Sequence, residues 1–189
     1  MPLQVLKQLR KNASSMAYNS ALYNWSLGGG HVPDRLVVRP VDPWPGNTQI
    51  GRSVCGEACA LSGEQLDIED LAAPHAANIC SDFKMSDKTM HGFSWLRDLR
   101  AVGGDAARRQ ARTIISQWID HHQKWDAQTW QIGTMGERLS MWIALHEFYG
   151  ATLDNTFQDH LFESVIRQAR HLSRILSGGG TNGGIYNGA

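Results

Sequence analysis

The stretch "HGFSWLRDLRAVGGDAARRQ", residues 91–110, contains the boundary between two predicted helices. The apolar residues before the boundary follow helical spacing, at Phe93, Leu96, Leu99 and Val102. Gly103 and Gly104 are typical of a helix C-terminus, and Asp105 suits the N-cap of a second helix. The stretch therefore predicts a helical hairpin, whose arginines are either solvated or directed at an acidic group.

Further helices are predicted on the C-terminal side of this hairpin. One begins at Thr134, where "TMGE" resembles a capping box closed by Glu137. Another begins near Asp154 and carries apolar residues at helical spacing. Short connections between such helices favour antiparallel hairpins. The predicted core comprises Leu96, Leu99, Ile114, Trp118, Leu139, Trp142, Leu161 and Leu172.

The periodicity and the turn residues divide the chain into four parts. Residues 1–27 predict an amphipathic helix, and residues 28–90 an extended and loop-rich segment with a small β-hairpin near residues 36–69. Residues 91–176 form the helical-hairpin part, and the Gly-rich residues 177–189 are interpreted as a truncated tail. The predicted fold class is mainly α.

Composition excludes several classes of function. The 189 residues include eighteen basic and eighteen acidic side chains, so the formal net charge is zero and a general nucleic-acid binder is disfavoured. No run of apolar residues is long enough for a membrane span, and the first residues lack the features of a secretory signal, which predicts a cytoplasmic protein.

The sequence predicts neither a metal site nor a cofactor. Three cysteines are a poor basis for a disulfide framework, and "CGEAC" at residues 55–59 lacks the second ligand pair of a zinc site. "HEFYG" at residues 146–150 lacks the second histidine of the zincin motif.

The arginines and tryptophans are the candidate binding residues. Arg138 shares a helix face with Trp142 and Leu145, so its buried charge must meet a carboxylate, a carbonyl or a water-filled cavity. Guanidinium groups suit carboxylates and sulfates, and indole faces stack on sugar rings. The same residues also serve ordinary helix packing and solubility. The candidates for an acidic-sugar cleft are Arg97, Arg100, Trp130, Arg138 and His146.

Several segments together resemble a known family. "FSWLRDLRAVGGDAARRQARTIISQWI", "GERLSMWIALHEFY", "RQARHLSRIL" and "PDRLVVRPVDPWPGN" are similar to the N-terminal region of the heparinase II/III-like family, in its alphaproteobacterial branch. The resemblance covers about residues 18–176. It implies an incomplete (α/α) toroid of antiparallel helical hairpins, followed in complete members by a β-sandwich.

The resemblance also implies a function. Family members are polysaccharide lyases that cleave uronate-containing glycans by β-elimination, with general acid-base catalysis. The segments that carry their catalytic residues have no counterpart here, so no catalytic residue is assigned and the chain alone is expected to be inactive. Its implied partners are an acidic polysaccharide and the missing β-sandwich half.

A second hypothesis assigns the chain to a different class. It is a helical interaction module that binds a protein partner, with exposed apolar surface on the last helix as the docking site.

Overall fold

A computed structural model describes residues 15–56, 87–150 and 155–178, and these residues are mainly helical. No β-strand occurs within the described ranges. Residues 15–19 are helical. The helices that follow are, in chain order, α1 Ala21–Gly28, α2 Thr48–Cys55, α3 Asp87–Gly92, α4 Leu96–Val102, α5 Gly104–His122, α6 Ile132–Ala144, α7 His146–Tyr149 and α8 Asn155–Gly178. The prediction of a mainly α fold is confirmed.

The core forms where α4, α5, α6 and α8 bring their apolar faces together. Six of the predicted core residues are buried, namely Leu96, Leu99, Trp118, Leu139, Trp142 and Leu161. Ile114 and Leu172 are half-buried and pack against this cluster. The prediction succeeded because apolar residues at helical spacing must be covered by a neighbouring helix.

Two predicted helix boundaries are wrong by about two residues. Helix α5 begins at Gly104, and Asp105 lies in its first turn, where it pairs with Arg108 instead of capping the helix. Helix α6 begins at Ile132, so Thr134 lies inside the helix and is buried. The "TMGE" segment is therefore not a capping box.

The predicted β-hairpin near residues 36–69 is wrong in its described part, because residues 48–55 form helix α2. Asn47 caps this helix by accepting hydrogen bonds from the backbone N–H groups of Gln49 and Ile50. Gly51 lets α2 pack against α4, since a Cβ at this position would overlap the backbone carbonyl of Asp98. Residues 57–69 lie outside the described residues.

Other predictions about the ends and the cysteines have partial outcomes. The first fourteen residues and the Gly-rich residues 179–189 lie outside the described part of the chain. Cys55 is buried and disulfide-bonded, which the three cysteines had not predicted. None of the described helices combines the length and the apolar character that crossing a bilayer requires.

Candidate protein-interaction site

The connection between α1 and α2 exposes apolar side chains to solvent. Residues 29–47 contain neither helix nor strand. We refer to residues 37–45, "VVRPVDPWP", as the extended segment, after the sequence prediction for this part of the chain. Four of its side chains are large, apolar and mostly exposed, with exposed fractions of 93% for Val37, 75% for Val38, 86% for Val41 and 64% for Trp44. Single exposed apolar residues are common on proteins, but four of them within eight positions concentrate apolar surface on one segment and make it a candidate interaction site.

The buried side chain of Asp42 fixes the extended segment to helix α4. Arg97 donates two hydrogen bonds from Nε to the Asp42 carboxylate, at 3.1 and 3.0 Å, and a third from Nη2 at 2.9 Å. Nη2 of Arg100 lies 3.1 Å from the same carboxylate. These hydrogen bonds from Arg97, followed by the charges of both arginines, lower the pKa of Asp42 despite its burial. Asp42 is therefore a charged attachment point.

Backbone contacts add to this attachment on both sides of the extended segment. Arg100 donates to the carbonyl oxygens of Asp42, at 3.2 Å, and Trp44, at 2.6 Å. The N–H of Asn47 donates to Oδ1 of Asp98 at 2.7 Å. Before the segment, Arg170 of α8 donates to the carbonyl oxygen of His31 at 3.2 Å. The backbone is thus held before and after the extended segment, while the apolar side chains of the segment face solvent.

Arg138 lies in the core and is fully buried. Its Nε donates to Oε1 of Gln168 at 2.7 Å, and its Nη1 donates to the carbonyl oxygens of His91, at 2.8 Å, and Thr129, at 3.0 Å. The guanidinium carbon lies 4.1 Å from the centre of the Trp118 ring, in cation–π geometry. Burial lowers the pKa of Arg138 to about 9, so the side chain stays charged at neutral pH. Of the three solutions considered for a buried cation, carbonyl oxygens are the one that the fold provides.

Trp130 is also buried, and it directly follows Thr129, whose carbonyl oxygen accepts a hydrogen bond from Arg138. Its Nε1 donates to the carbonyl oxygen of His122 at 3.1 Å, and its ring packs edge-on against His171. His146 is half-buried, with Nε2 3.1 Å from Oε1 of Gln158. Burial lowers the pKa of His146, and the charge of Arg39 contributes in the same direction.

The five predicted site residues thus occupy different environments. Arg97 and Arg100 converge on Asp42, whereas Arg138 and Trp130 are covered by protein and His146 bonds to α8. Their role as ligand-binding residues stays a prediction. All three arginines already make contacts within the chain through their guanidinium groups, so their presence can be explained without an acidic ligand.

The residues of the extended segment were not among the candidates. The available signal was a set of apolar residues between prolines, at Val37, Val38, Val41 and Trp44, which fit no helical face. The predicted docking surface on the last helix, α8, exposes less apolar area than the extended segment. Leu176 is exposed near the C-terminal end of α8, and most of the other large apolar residues of this helix are buried. Within the described ranges, no group of three or more histidine, cysteine, aspartate or glutamate side chains could hold a metal ion.

Comparison with known proteins identifies a relative that matches most of this chain. Over 143 residues, the chain is 30% identical to FtsZ-localized protein C of Caulobacter vibrioides (strain NA1000 / CB15N). The aligned region is 76% of this chain and 24% of the relative, so the chain matches about a quarter of that protein's length. No protein-family model and no solved structure matches the chain.

The resemblance to the heparinase II/III-like family is therefore wrong, because the similarity that is found is to an FtsZ-localized protein. The polysaccharide lyase function, the acidic polysaccharide partner and the missing β-sandwich half were inferred from that resemblance and are withdrawn with it. The segments on which the resemblance rested carry apolar residues at helical spacing. Such patterns recur in unrelated helical proteins because helix packing alone demands them.

Proposed function

We propose that this chain is a non-enzymatic helical module that binds a protein partner, and that the partner is FtsZ. The observation that carries the proposal is the exposed apolar surface of Val37, Val38, Val41 and Trp44, held in place by the Asp42 ion pairs. The similarity to FtsZ-localized protein C supports the choice of partner. The continuation of the helices into an (α/α) toroid and the division at residues 27, 90 and 176 stay predictions.

The use of the buried polar groups also supports an interaction module. Arg138 contacts backbone carbonyls and a glutamine, and the buried His171 lies with Nδ1 2.6 Å from the hydroxyl of Tyr23. These groups hold helices together, as polar side chains in a protein core do. The polar groups of the core thus serve structure, and the exposed apolar segment serves recognition.

Direct binding tests the proposal. The purified chain is titrated against immobilised FtsZ from Caulobacter vibrioides, and biolayer interferometry measures the dissociation constant. We expect saturable binding to FtsZ and none to an unrelated protein of similar size and charge on a parallel sensor. Absence of saturable binding would refute the proposed partner.

We further propose a cytoplasmic location, which the similarity to an FtsZ-localized protein supports. The disulfide at Cys55 opposes this location, since a reducing compartment keeps thiols free. Thiols are blocked with N-ethylmaleimide in intact cells, and the labelled protein is weighed by mass spectrometry. All three cysteines should be labelled in the cytoplasm, whereas one labelled cysteine would indicate an oxidising compartment.

A further inference from the structure

The extended segment has a chemistry that specifies the kind of surface it binds. We infer that residues 37–45 insert into a groove of FtsZ that is lined by apolar and aromatic side chains and carries carboxylates at its rim. This inference rests on the proposed function and names the part of the chain that makes the contact.

Prolines determine the shape that the segment presents. Pro40, Pro43 and Pro45 are exposed, and the first two have the spacing Pro-x-x-Pro. Proline fixes the backbone angle φ near −65° and has no N–H group, so such a segment neither continues a helix nor pairs fully in a sheet. Proteins recognise extended Pro-rich segments through grooves lined with aromatic side chains. Val41 and Trp44 supply the apolar contacts between and beside the prolines.

The segment is attached in a way that lowers the entropy lost on binding. The Asp42 side chain, which is only 4% exposed, bonds to Arg97 and Arg100. Close packing of Gly46 against the carbonyl of Arg97 fixes the chain four residues later, because a Cβ at Gly46 would overlap that carbonyl. A ligand already held in one conformation binds more tightly than a flexible one. Val41 and Trp44 lie on either side of Asp42 and are exposed while the segment is fixed.

The charges around the segment select an acidic rim. Arg35, Arg39 and Arg52 are exposed, and Asp34 is the exposed acidic residue among the described residues 29–52. The charge of Asp42 is already balanced by Arg97 and Arg100. The solvent-facing surface is therefore apolar with a surplus of positive charge. A partner surface of complementary charge carries carboxylates beside its apolar groove.

The experiment compares the wild-type chain with two matched double variants. Val41→Ser with Trp44→Ser removes apolar groups of the extended segment, and Leu22→Ser with Trp25→Ser removes equally exposed apolar groups of α1. Circular dichroism melting should show unchanged stability for both, since all four side chains are mostly exposed. Affinity for immobilised FtsZ should fall roughly tenfold or more in the first variant and stay unchanged in the second.

A charge reversal tests the acidic rim separately. Arg39→Glu should weaken binding to FtsZ severalfold, and the wild-type dissociation constant should rise with salt concentration. If neither the Arg39→Glu substitution nor the salt concentration changes the affinity, the inference of an acidic rim is refuted. If the wild-type chain binds FtsZ and the Val41→Ser with Trp44→Ser variant binds equally well, the docking segment is refuted while the proposed function stands. If the wild-type chain does not bind, both are refuted.

Discussion

At the scale of single residues, Arg138 shows that the role of a buried charge depends on the cost of desolvation and on the hydrogen bonds that offset this cost. Its removal from water is unfavourable, yet it satisfies the oxygens of His91, Thr129 and Gln168. Its Nη2 is buried without a hydrogen-bond partner, so one of its donors gains nothing. The balance depends on these acceptors, and the oxygens of Gln168 and Thr129 are the ones that lie buried against the guanidinium.

We expect Arg138→Met to reduce the free energy of unfolding by about 2–4 kcal/mol, because an unsatisfied buried acceptor typically costs about 1–3 kcal/mol. Methionine retains much of the packing against Trp118, which separates the loss of hydrogen bonds from the loss of volume. Urea denaturation followed by circular dichroism measures the change. A variant as stable as wild type would show that the desolvation of the charge cancels its hydrogen bonds.

His171 makes stability depend on pH. Burial, assisted by the charge of Arg174, lowers the pKa of His171 to about 4, from 6.5 for an unperturbed side chain. Its ring faces Tyr18 and Tyr23, and its Nε2 is buried without a hydrogen-bond partner. Between pH 4 and 6.5 the unfolded chain binds this proton more readily than the folded chain does. The folded state therefore loses stability as the pH falls through this window.

The prediction is a lower urea midpoint at pH 5 than at pH 7, with a slope of at most about 1.4 kcal/mol per pH unit from this one proton. His171→Gln removes the titrating group, so its midpoints at the two pH values should lie closer together. A remaining difference would come from His122 and His146, whose pKa values burial also lowers. An unchanged pH profile in the His171→Gln protein would contradict the assignment.

At the scale of elements, the contact between α2 and α4 depends on Gly51. Alanine favours a helix over glycine by about 1 kcal/mol, so helix propensity alone predicts that Gly51→Ala is stabilising. The added Cβ would overlap the carbonyl group of Asp98, which is backbone and cannot rotate away. Moving α2 outward would also disturb the hydrogen bond from Asn47 N–H to Asp98. Steric overlap should therefore outweigh propensity.

We expect Gly51→Ala to lower the free energy of unfolding by about 1–3 kcal/mol, which is the usual effect of overpacking. Gly136→Ala is the matched control, because this glycine also lies in a helix and its added Cβ meets nothing within 4 Å. The control should be stabilised by up to about 1 kcal/mol. Thermal melts of the two variants beside wild type decide the matter, and a stabilised Gly51→Ala protein would mean that the helices can separate without loss.

Sequence patterns predicted some elements and missed others for physical reasons. Helices α5, α6 and α8 are long enough to show an apolar stripe, so their existence was predictable. Helix α2 is short and owes its position to the Asn47 cap and to the close contact at Gly51. Neither feature was among the sequence predictions, which placed a β-hairpin in this region. The contact required knowledge of α4, about forty-five residues away in the chain.

At the scale of the whole molecule, the candidate site depends on distant partners. Arg97 and Asp42 are separated by 55 positions, and no local pattern reveals that one holds the other. The arginines therefore suggested an external acidic ligand, although the acid is part of the chain. The apolar residues of the extended segment fit no helical face in the sequence, and the fold leaves them outside the core.

Trp118 joins the parts of this core. Its ring packs edge-on against Phe93 and Trp142 and lies tilted beside His122, while Arg138 lies over its face. Its Nε1 also donates to Nδ1 of His91 at 3.0 Å. One side chain thus connects α5 with α6 and with the end of α3. A deletion here should affect the cooperative unfolding of the molecule, not one helix alone.

We expect Trp118→Ala to lower the free energy of unfolding by about 3–5 kcal/mol, as deletions of large aromatic side chains from cores do. Trp118→Phe keeps an aromatic ring but removes the hydrogen bond to His91, so it should lose less. Urea unfolding followed by circular dichroism gives both values, and a loss under about 1 kcal/mol for alanine would contradict the core position. Because stability is about 5–15 kcal/mol for a domain, the larger loss should also populate unfolded chains well below the wild-type midpoint.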